Sequence, residues 1–165
     1  SQPLIDRLAR DHNVTMLAVQ IVGLEHIVVV GTAQGGANFQ LSAQIGSRFP
    51  ALISATGRCI AAYGGYSPAE LQRRFELLRW DNPPAYSEWL EQVAQTRSQG
   101  FATDAGNYIA GVSVIAAAVL KGARRPVHAL VAVGISGAIE RAGMQKIGED
   151  LSAAARSVSE RLYAD

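Results

Sequence analysis

The stretch "VSVIAAAVLKGARRPVHALVAVGI", residues 112–135, decides how this chain folds. Two apolar runs, 112–120 and 127–135, flank a short link at 122–126 that contains glycine and proline. Runs of small and β-branched residues on either side of a turn are typical of strands joined as a hairpin. The stretch therefore predicts two neighbouring antiparallel strands.

Further elements are predicted on both sides of this hairpin. The other strands are expected at 14–22, 27–32, 39–43 and 101–103, and the helices at 3–11, 54–63, 67–78, 87–99 and 139–162. Ser54 or Thr56 would cap the second helix, and "SPAE" at 67–70 is a capping box with proline at the first helical position. Short links between consecutive strands indicate antiparallel pairing. The order predicts an α/β fold of the α+β type, in which an antiparallel sheet of about six strands carries helices.

Composition limits the classes of function. The chain has 165 residues, of which 48% are hydrophobic and 18% charged, which is enough for one domain with a core, 1–165. A net charge of +1 lacks the concentrated positive field that nucleic-acid binding requires. The single cysteine, Cys59, lies in an apolar run and favours a cytoplasmic location. No apolar segment is long enough to span a bilayer.

Chemical motifs are few. His12, His26 and His128 lie far apart with no ligand at metal-site spacing, so neither a metal nor a cofactor is expected. The chain lacks G-x-S-x-G, and the glycine-rich segment at 31–39 lacks the lysine of a phosphate loop. An enzyme is therefore not expected. A small group-transfer enzyme that uses Cys59 or Ser136 is the weakest alternative.

Three stretches leave a binding site open. "SATGRCIAA" at 54–62 is either a helix start that binds an anion or a helix packed so closely that only small side chains fit. "GFATDAGNYIAGVSVIAAAV" at 100–119 isolates one acid, Asp104, and "ALVAVGISGAI" at 129–139 ends a strand at Ser136. If these strands are neighbours, Ala55, Thr56 and Ser136 could hold a carboxylate. Asp104 could equally cap a turn.

These three stretches, in this order, resemble the effector-binding domain of the IclR family of bacterial transcription regulators. The similarity extends to the first helix, "QPLIDRLARDHNVTMLAVQI", and to the last helix. The resemblance implies a GAF-like or PAS-like antiparallel sheet with helices on both faces. It also implies that residues 1–12 end a linker, that a winged helix-turn-helix domain is absent from this chain, and that the protein forms a homodimer or homotetramer.

The resemblance also implies a site and a mechanism. A small-molecule effector, expected to be an organic acid with aromatic or apolar character, would change DNA binding by the absent domain. The implied effector contacts are Leu41, Phe49, Ala55, Thr56, Asp104, Val114, Gly134 and Ser136, with Phe39 and Tyr108 as additional pocket residues. Arg58, the segment 105–107 and Gly134 depart from the family pattern. The alternative is a stand-alone GAF-like module for ligands or protein partners.

Overall fold

The fold is described by a computed structural model that covers residues 2–35, 44–122 and 125–163. Its helices are α1 (Gln2–His12), α2 (Ser54–Tyr63), α3 (Pro68–Glu76), α4 (Tyr86–Gln99), α5 (Ser136–Ala142) and α6 (Met144–Tyr163). Its strands are β1 (Thr15–Val22), β2 (His26–Ala33), β3 (Arg48–Pro50), β4 (Ala102–Ala105), β5 (Val112–Lys121) and β6 (Arg125–Ile135).

The strands form one six-stranded sheet in the order β3-β2-β1-β6-β5-β4, and every neighbouring pair is antiparallel. The predicted hairpin is present as β5 and β6, with Val114 opposite Val133. β1 lies beside β6, so the chain's first and last strands meet at the middle of the sheet. This arrangement confirms the predicted α+β architecture.

Helices cover both faces of the sheet, because each face is apolar. One buried cluster joins odd-numbered residues of β1 and β6, such as Leu17 and Val131, to α2, α3 and α4. The other cluster joins their even-numbered neighbours, such as Met16 and Ala132, to α1, α5 and α6. Strands that are buried on both faces read as continuous apolar runs rather than as alternating ones.

One predicted strand is untested, one observed strand was not predicted, and one predicted helix differs from the structure. The predicted strand 39–43 lies outside the described residues and stays a prediction, and β3 at Arg48–Pro50 is an additional strand. The single helix predicted at 139–162 is wrong, because the chain forms α5 and α6 with a break at Gly143. Gly143 has a φ of 96°, which a helix interior does not allow. Of the predicted hairpin turn, residues 123–124 lie outside the described part.

The helix starts follow the predictions only in part. Ser67 caps α3, and its side chain accepts a hydrogen bond from the Glu70 N–H at 3.2 Å, as the capping box predicts. The predicted cap of α2 is wrong, because Ile53 precedes that helix and offers no side-chain bond. No helix among the described residues is long and apolar enough to cross a membrane.

Candidate functional site

A cavity lies between the sheet and the start of α2, with a volume of about 80 Å³. Strands β1, β2, β5 and β6 form its floor. Its walls are formed by β3, the start of α2 and the loop at 106–111. Its lining consists of Leu17, Val19, Ile27, Val29, Phe49, Ile53, Ser54, Thr56, Tyr108, Ile109, Val112, Val114, Val131 and Val133. Almost all of these side chains are apolar, so the cavity suits an apolar group.

The register of the sheet explains why these side chains converge. Leu17 of β1 pairs with Val131 of β6, and Val114 of β5 pairs with Val133 of β6. Directly opposed residues of an antiparallel pair point to the same face, and so do residues two apart on one strand. A patch of branched aliphatic side chains therefore forms on the face toward α2.

The start of α2 supplies the polar end of the cavity. The Gly57 N–H donates to the Ile53 carbonyl at 2.8 Å, which is the first intrahelical hydrogen bond, so the N–H groups of Ser54, Ala55 and Thr56 have no intrahelical acceptor. Ser54 has a φ of 54°, a left-handed conformation that serine rarely adopts. Its hydroxyl is buried without a hydrogen-bond partner among the described residues. The start of α2 thus combines an unpartnered hydroxyl, N–H groups without intrahelical acceptors and backbone strain at one place in the cavity wall.

Three of the predicted effector contacts, Phe49, Thr56 and Val114, line this cavity together with the predicted additional pocket residue Tyr108. Phe49 comes from β3, Thr56 from the first turn of α2, Val114 from β5 and Tyr108 from the loop at 106–111. The structure thus brings together residues that are up to 65 positions apart in the sequence. Their role in binding an effector stays a prediction. Leu41 and Phe39 lie outside the described residues.

The other four predicted contacts are not in the cavity lining. The Ala55 side chain is in the core, although its N–H belongs to the open start of α2. A Cβ on Gly134 would meet Ile139, so Gly134 faces the opposite side of the sheet. The Ser136 hydroxyl lies 2.8 Å from the Ser113 hydroxyl. The carboxylate of Asp104 is buried below the loop at 106–111 and is engaged by protein groups.

The residues that the sequence analysis missed are mainly aliphatic side chains on the strands. A signal for them exists, because they recur two positions apart on neighbouring strands. Leu17 and Val19, Ile27 and Val29, and Val131 and Val133 are such pairs. The continuous apolar runs hid this pattern, since the residues between them are also buried.

Beside the cavity, a buried ion pair joins α2 to β4. Arg58 and Asp104 are each 1% exposed, and Arg58 Nη1 lies 3.7 Å from Asp104 Oδ2. Arg58 also donates from Nε to Gln92 Oε1 and from Nη2 to Asn107 Oδ1, both at 2.9 Å. Asp104 accepts the N–H of Asn107 at 2.7 Å and that of Tyr108 at 3.2 Å. The turn-capping role that the sequence left open for Asp104 is therefore present in the structure.

Burial governs the electrostatics of this pair. Removal from water lowers the pKa of Arg58, and the Asp104 carboxylate opposes that shift. The Arg58 guanidinium also lies over the Trp80 ring, 5.8 Å from its centroid. Because Asp104 neutralises Arg58, this cluster offers no free positive charge to the cavity. It holds the loop that carries Tyr108.

Cys59 follows Arg58 and is expected to be inert in the native protein. Burial raises the pKa of its thiol to about 12, and Sγ lies 3.5 Å from the Ala116 carbonyl oxygen. Only the thiolate reacts as a nucleophile. We expect dithiobis-nitrobenzoate to label Cys59 at least about a hundredfold more slowly in the native chain than in urea. Rapid labelling of the native chain would contradict this and would revive the alternative of a thiol enzyme.

The described residues contain no group of three His, Cys, Asp or Glu side chains that could hold a metal ion. His12 instead lies 2.8 Å from the Asp150 carboxylate, where it joins α1 to α6.

The sequence matches the family model of the bacterial transcriptional regulator IclR C-terminal domain over residues 1–160. No curated protein sequence matches the chain significantly. The family is one of transcription regulators.

Solved structures share the fold. An IclR transcriptional regulator from Alicyclobacillus acidocaldarius is 21% identical, with a TM-score of 0.80 over 94% of this chain and 63% of that chain. The repressor BlcR from Agobacterium tumefaciens is 23% identical, with a TM-score of 0.76 over 98% of this chain and 68% of its own. IclR from Thermotoga maritima is 16% identical, with a TM-score of 0.74 over 96% of this chain and 68% of that chain. This chain thus spans less than two thirds of the Alicyclobacillus regulator. Because the family model covers nearly all of its length, the chain belongs to the IclR family of bacterial transcriptional regulators and corresponds to their C-terminal domain.

Proposed function

We propose that this domain senses a small organic acid, and that binding of the acid changes DNA binding by a winged-helix domain outside this chain. The observation that carries the proposal is the apolar cavity whose wall includes the open start of α2 and the Ser54 hydroxyl, which has no hydrogen-bond partner among the residues that the structure describes. A helix start attracts negative charge, so a carboxylate would be bound there and its apolar part in the cavity. No catalytic step is part of this function.

The dimensions of the cavity favour a short aliphatic acid. Its volume of about 80 Å³ is roughly half the ~150 Å³ of an engineered apolar cavity that binds benzene. Burial of aliphatic surface contributes about 25 cal/mol per Å², and each charge-assisted hydrogen bond about 1.5–3 kcal/mol. An acid of four or five carbons gains from both apolar burial and hydrogen bonds, whereas a very small polar acid has little apolar surface to bury.

Regulation requires that the acid distinguish two arrangements of the whole protein. A ligand shifts such an equilibrium only by its difference in affinity for the two states, commonly about 1–3 kcal/mol. We place this coupling in a homodimer or homotetramer of the full regulator. The net charge of +1 agrees with DNA recognition by another domain.

A panel of acids tests the proposal, with isovalerate, benzoate and pyruvate as probes. We expect isovalerate to raise the midpoint of thermal unfolding by roughly 5–10 °C at a free concentration of about 100 times its Kd. Pyruvate should give a much smaller shift, because it has little apolar surface to bury. Stabilisation by pyruvate alone would contradict the apolar character of the effector. Stabilisation by none of the acids would contradict the proposal itself.

Substitution of Thr56 tests whether the acid binds in the cavity. Thr56 is 3% exposed and lines the cavity from the first turn of α2. We expect Thr56→Trp to weaken isovalerate binding at least about a hundredfold, because the indole would fill the space. Thr56→Val keeps the volume and should cost at most about tenfold. Calorimetric titration gives both affinities, and circular dichroism verifies the fold. Unchanged affinity in a folded Thr56→Trp protein would exclude Thr56 from the site.

A further inference from the structure

Tyr108 lines two spaces at once. One is the apolar cavity, and the other is an open cleft of about 500 Å³ next to it. The cleft lies between the β1–β2 turn, the start of α2 and the end of α3. Ile53 is the other residue that the two linings share, so Tyr108 and Ile53 form the partition between cavity and cleft.

The cleft carries the charges that an acid would meet on its way in. Arg74 and Arg79 line it, and Glu25 is the acidic residue among its lining side chains. Two guanidinium groups against one carboxylate leave a positive balance, which raises the local concentration of anions. Among the described residues, the lining of the cavity itself contains no charged side chain. An acid would therefore be attracted at the cleft before it reaches the apolar cavity.

The loop at 106–111 carries Tyr108 as a small preformed unit. The Asp81 N–H donates to the Tyr108 carbonyl at 3.1 Å, and the Ala110 N–H donates to Asp81 Oδ2 at 2.7 Å. The loop begins and ends at glycines with positive φ, 82° at Gly106 and 79° at Gly111. A Cβ on Gly111 would meet nothing within 4 Å, so there is open space beside this joint.

The hydrogen bonds on the two sides of the loop at 106–111 favour movement of this loop and its Tyr108 side chain over movement of the helices around it. On the inner side the loop is held by the buried carboxylate of Asp104, which belongs to the core. On the outer side it is held by exposed bonds to Asp81 and Asn82. Exposed backbone and side-chain bonds break at lower cost than buried ones, and loops of this type open while the core stays folded.

We propose that the cleft is the path by which the effector reaches the cavity, and that Tyr108 is the gate residue that controls passage between them. This inference rests on the proposed function, because it assigns the route and the size selection to the same site. Rotation of the Tyr108 side chain, with or without release of the loop from Asp81, connects the two spaces. Acids with a broad apolar group pass more slowly than narrow ones.

The test compares exchange rates in the 165-residue chain and its Tyr108 variants. Fluorine NMR of trifluorobutanoate gives the rates of association and release. We expect Tyr108→Ala to raise the association rate at least about tenfold, whereas Tyr108→Phe keeps the bulk of the ring and the wild-type rate. Asp81→Ala should also raise it, because the loop loses an outer bond. Tyr163→Ala, on α6 and outside both linings, is the matched control and should leave the rate unchanged.

The association rate separates a gate from a simple contact. If Tyr108 only touched the bound acid, Tyr108→Ala would speed release and leave association unchanged, and that result would overturn the gate. Labelling of Cys59 by a thiol reagent must stay slow in each variant, which shows that faster exchange does not come from general unfolding.

Xenon separates failure of the gate from failure of the proposed effector. Xenon occupies apolar cavities and needs no carboxylate site. If trifluorobutanoate does not bind but xenon exchange is faster in Tyr108→Ala, the gate is supported and the acid effector is wrong. If neither probe exchanges faster in Tyr108→Ala than in the wild type, the gate is overturned, whatever the acid panel shows.

Discussion

Asp104→Ala is expected to lower the free energy of unfolding by about 3–5 kcal/mol, because it leaves a buried cation without its counter-charge. Arg58 is 1% exposed, and Asp104 is its only carboxylate partner within 4 Å among the described residues. The remaining partners, Gln92 and Asn107, are neutral. The substitution also removes the acceptor of two N–H groups in the loop. The free energy of unfolding of a typical domain is about 5–15 kcal/mol, so this substitution would remove a large fraction of it.

Urea denaturation of three variants separates the charge from the turn. Asp81 accepts an N–H of the same loop from the exposed side and has no ion pair with a buried cation in the described part of the chain, so Asp81→Ala should lower the free energy of unfolding by about 1 kcal/mol. The double variant Arg58→Met/Asp104→Ala should be more stable than Asp104→Ala alone, because it removes the unpaired charge as well. Equal losses for Asp104→Ala and Asp81→Ala would show that the buried ion pair contributes nothing beyond the turn.

The strands and most helices could be predicted because their signals are local. A capping box fixes the start of α3 within four residues, and the apolar runs of β5 and β6 flank their own turn. β3 has only three residues, too few for any periodicity, and its place depends on pairing with β2. The break at Gly143 was hidden because apolar residues of suitable spacing continue on both sides of it.

The candidate site was predictable only where a residue's face could be inferred. Val114 and Gly134 were both expected at the effector, but Val114 is opposite Val133, and therefore Gly134 points to the other face. A one-residue difference in register reverses the face of every side chain in a strand, and no local signal sets it here. The pairing of Arg58 with Asp104 spans 46 positions and depends on the packing of α2 against β4 and β5.

Of the alternatives for "SATGRCIAA", close packing is confirmed, and anion binding stays a prediction that close packing does not exclude. All nine residues from Ser54 to Ala62 are buried, which is the close packing that small side chains permit. Ser54 and Thr56 also line the cavity, and the Ser54 hydroxyl has no hydrogen-bond partner among the described residues. A helix pressed against the sheet holds its own start rigidly, and a rigid start is what a binding site for a small anion requires.

Gly57→Ala is expected to lower the free energy of unfolding by more than about 3 kcal/mol and also to weaken acid binding. An added Cβ would collide with the carbonyl carbon and oxygen of Leu52, so the collision is with backbone and no rotamer relieves it. α2 would have to move away from the segment that leads into it, and Ser54 and Thr56 would move with it.

Gly137→Ala is the matched control, because Gly137 is also helical and its added Cβ would meet only the end of the Arg141 side chain, at 3.4 Å. That change should be neutral or stabilise the chain by up to about 1 kcal/mol, since alanine favours helix over glycine. Urea denaturation and isovalerate titration measure both variants. A Gly57→Ala protein with the stability of Gly137→Ala would mean that α2 tolerates displacement. Tight packing could then no longer be the reason for the small residues in this helix.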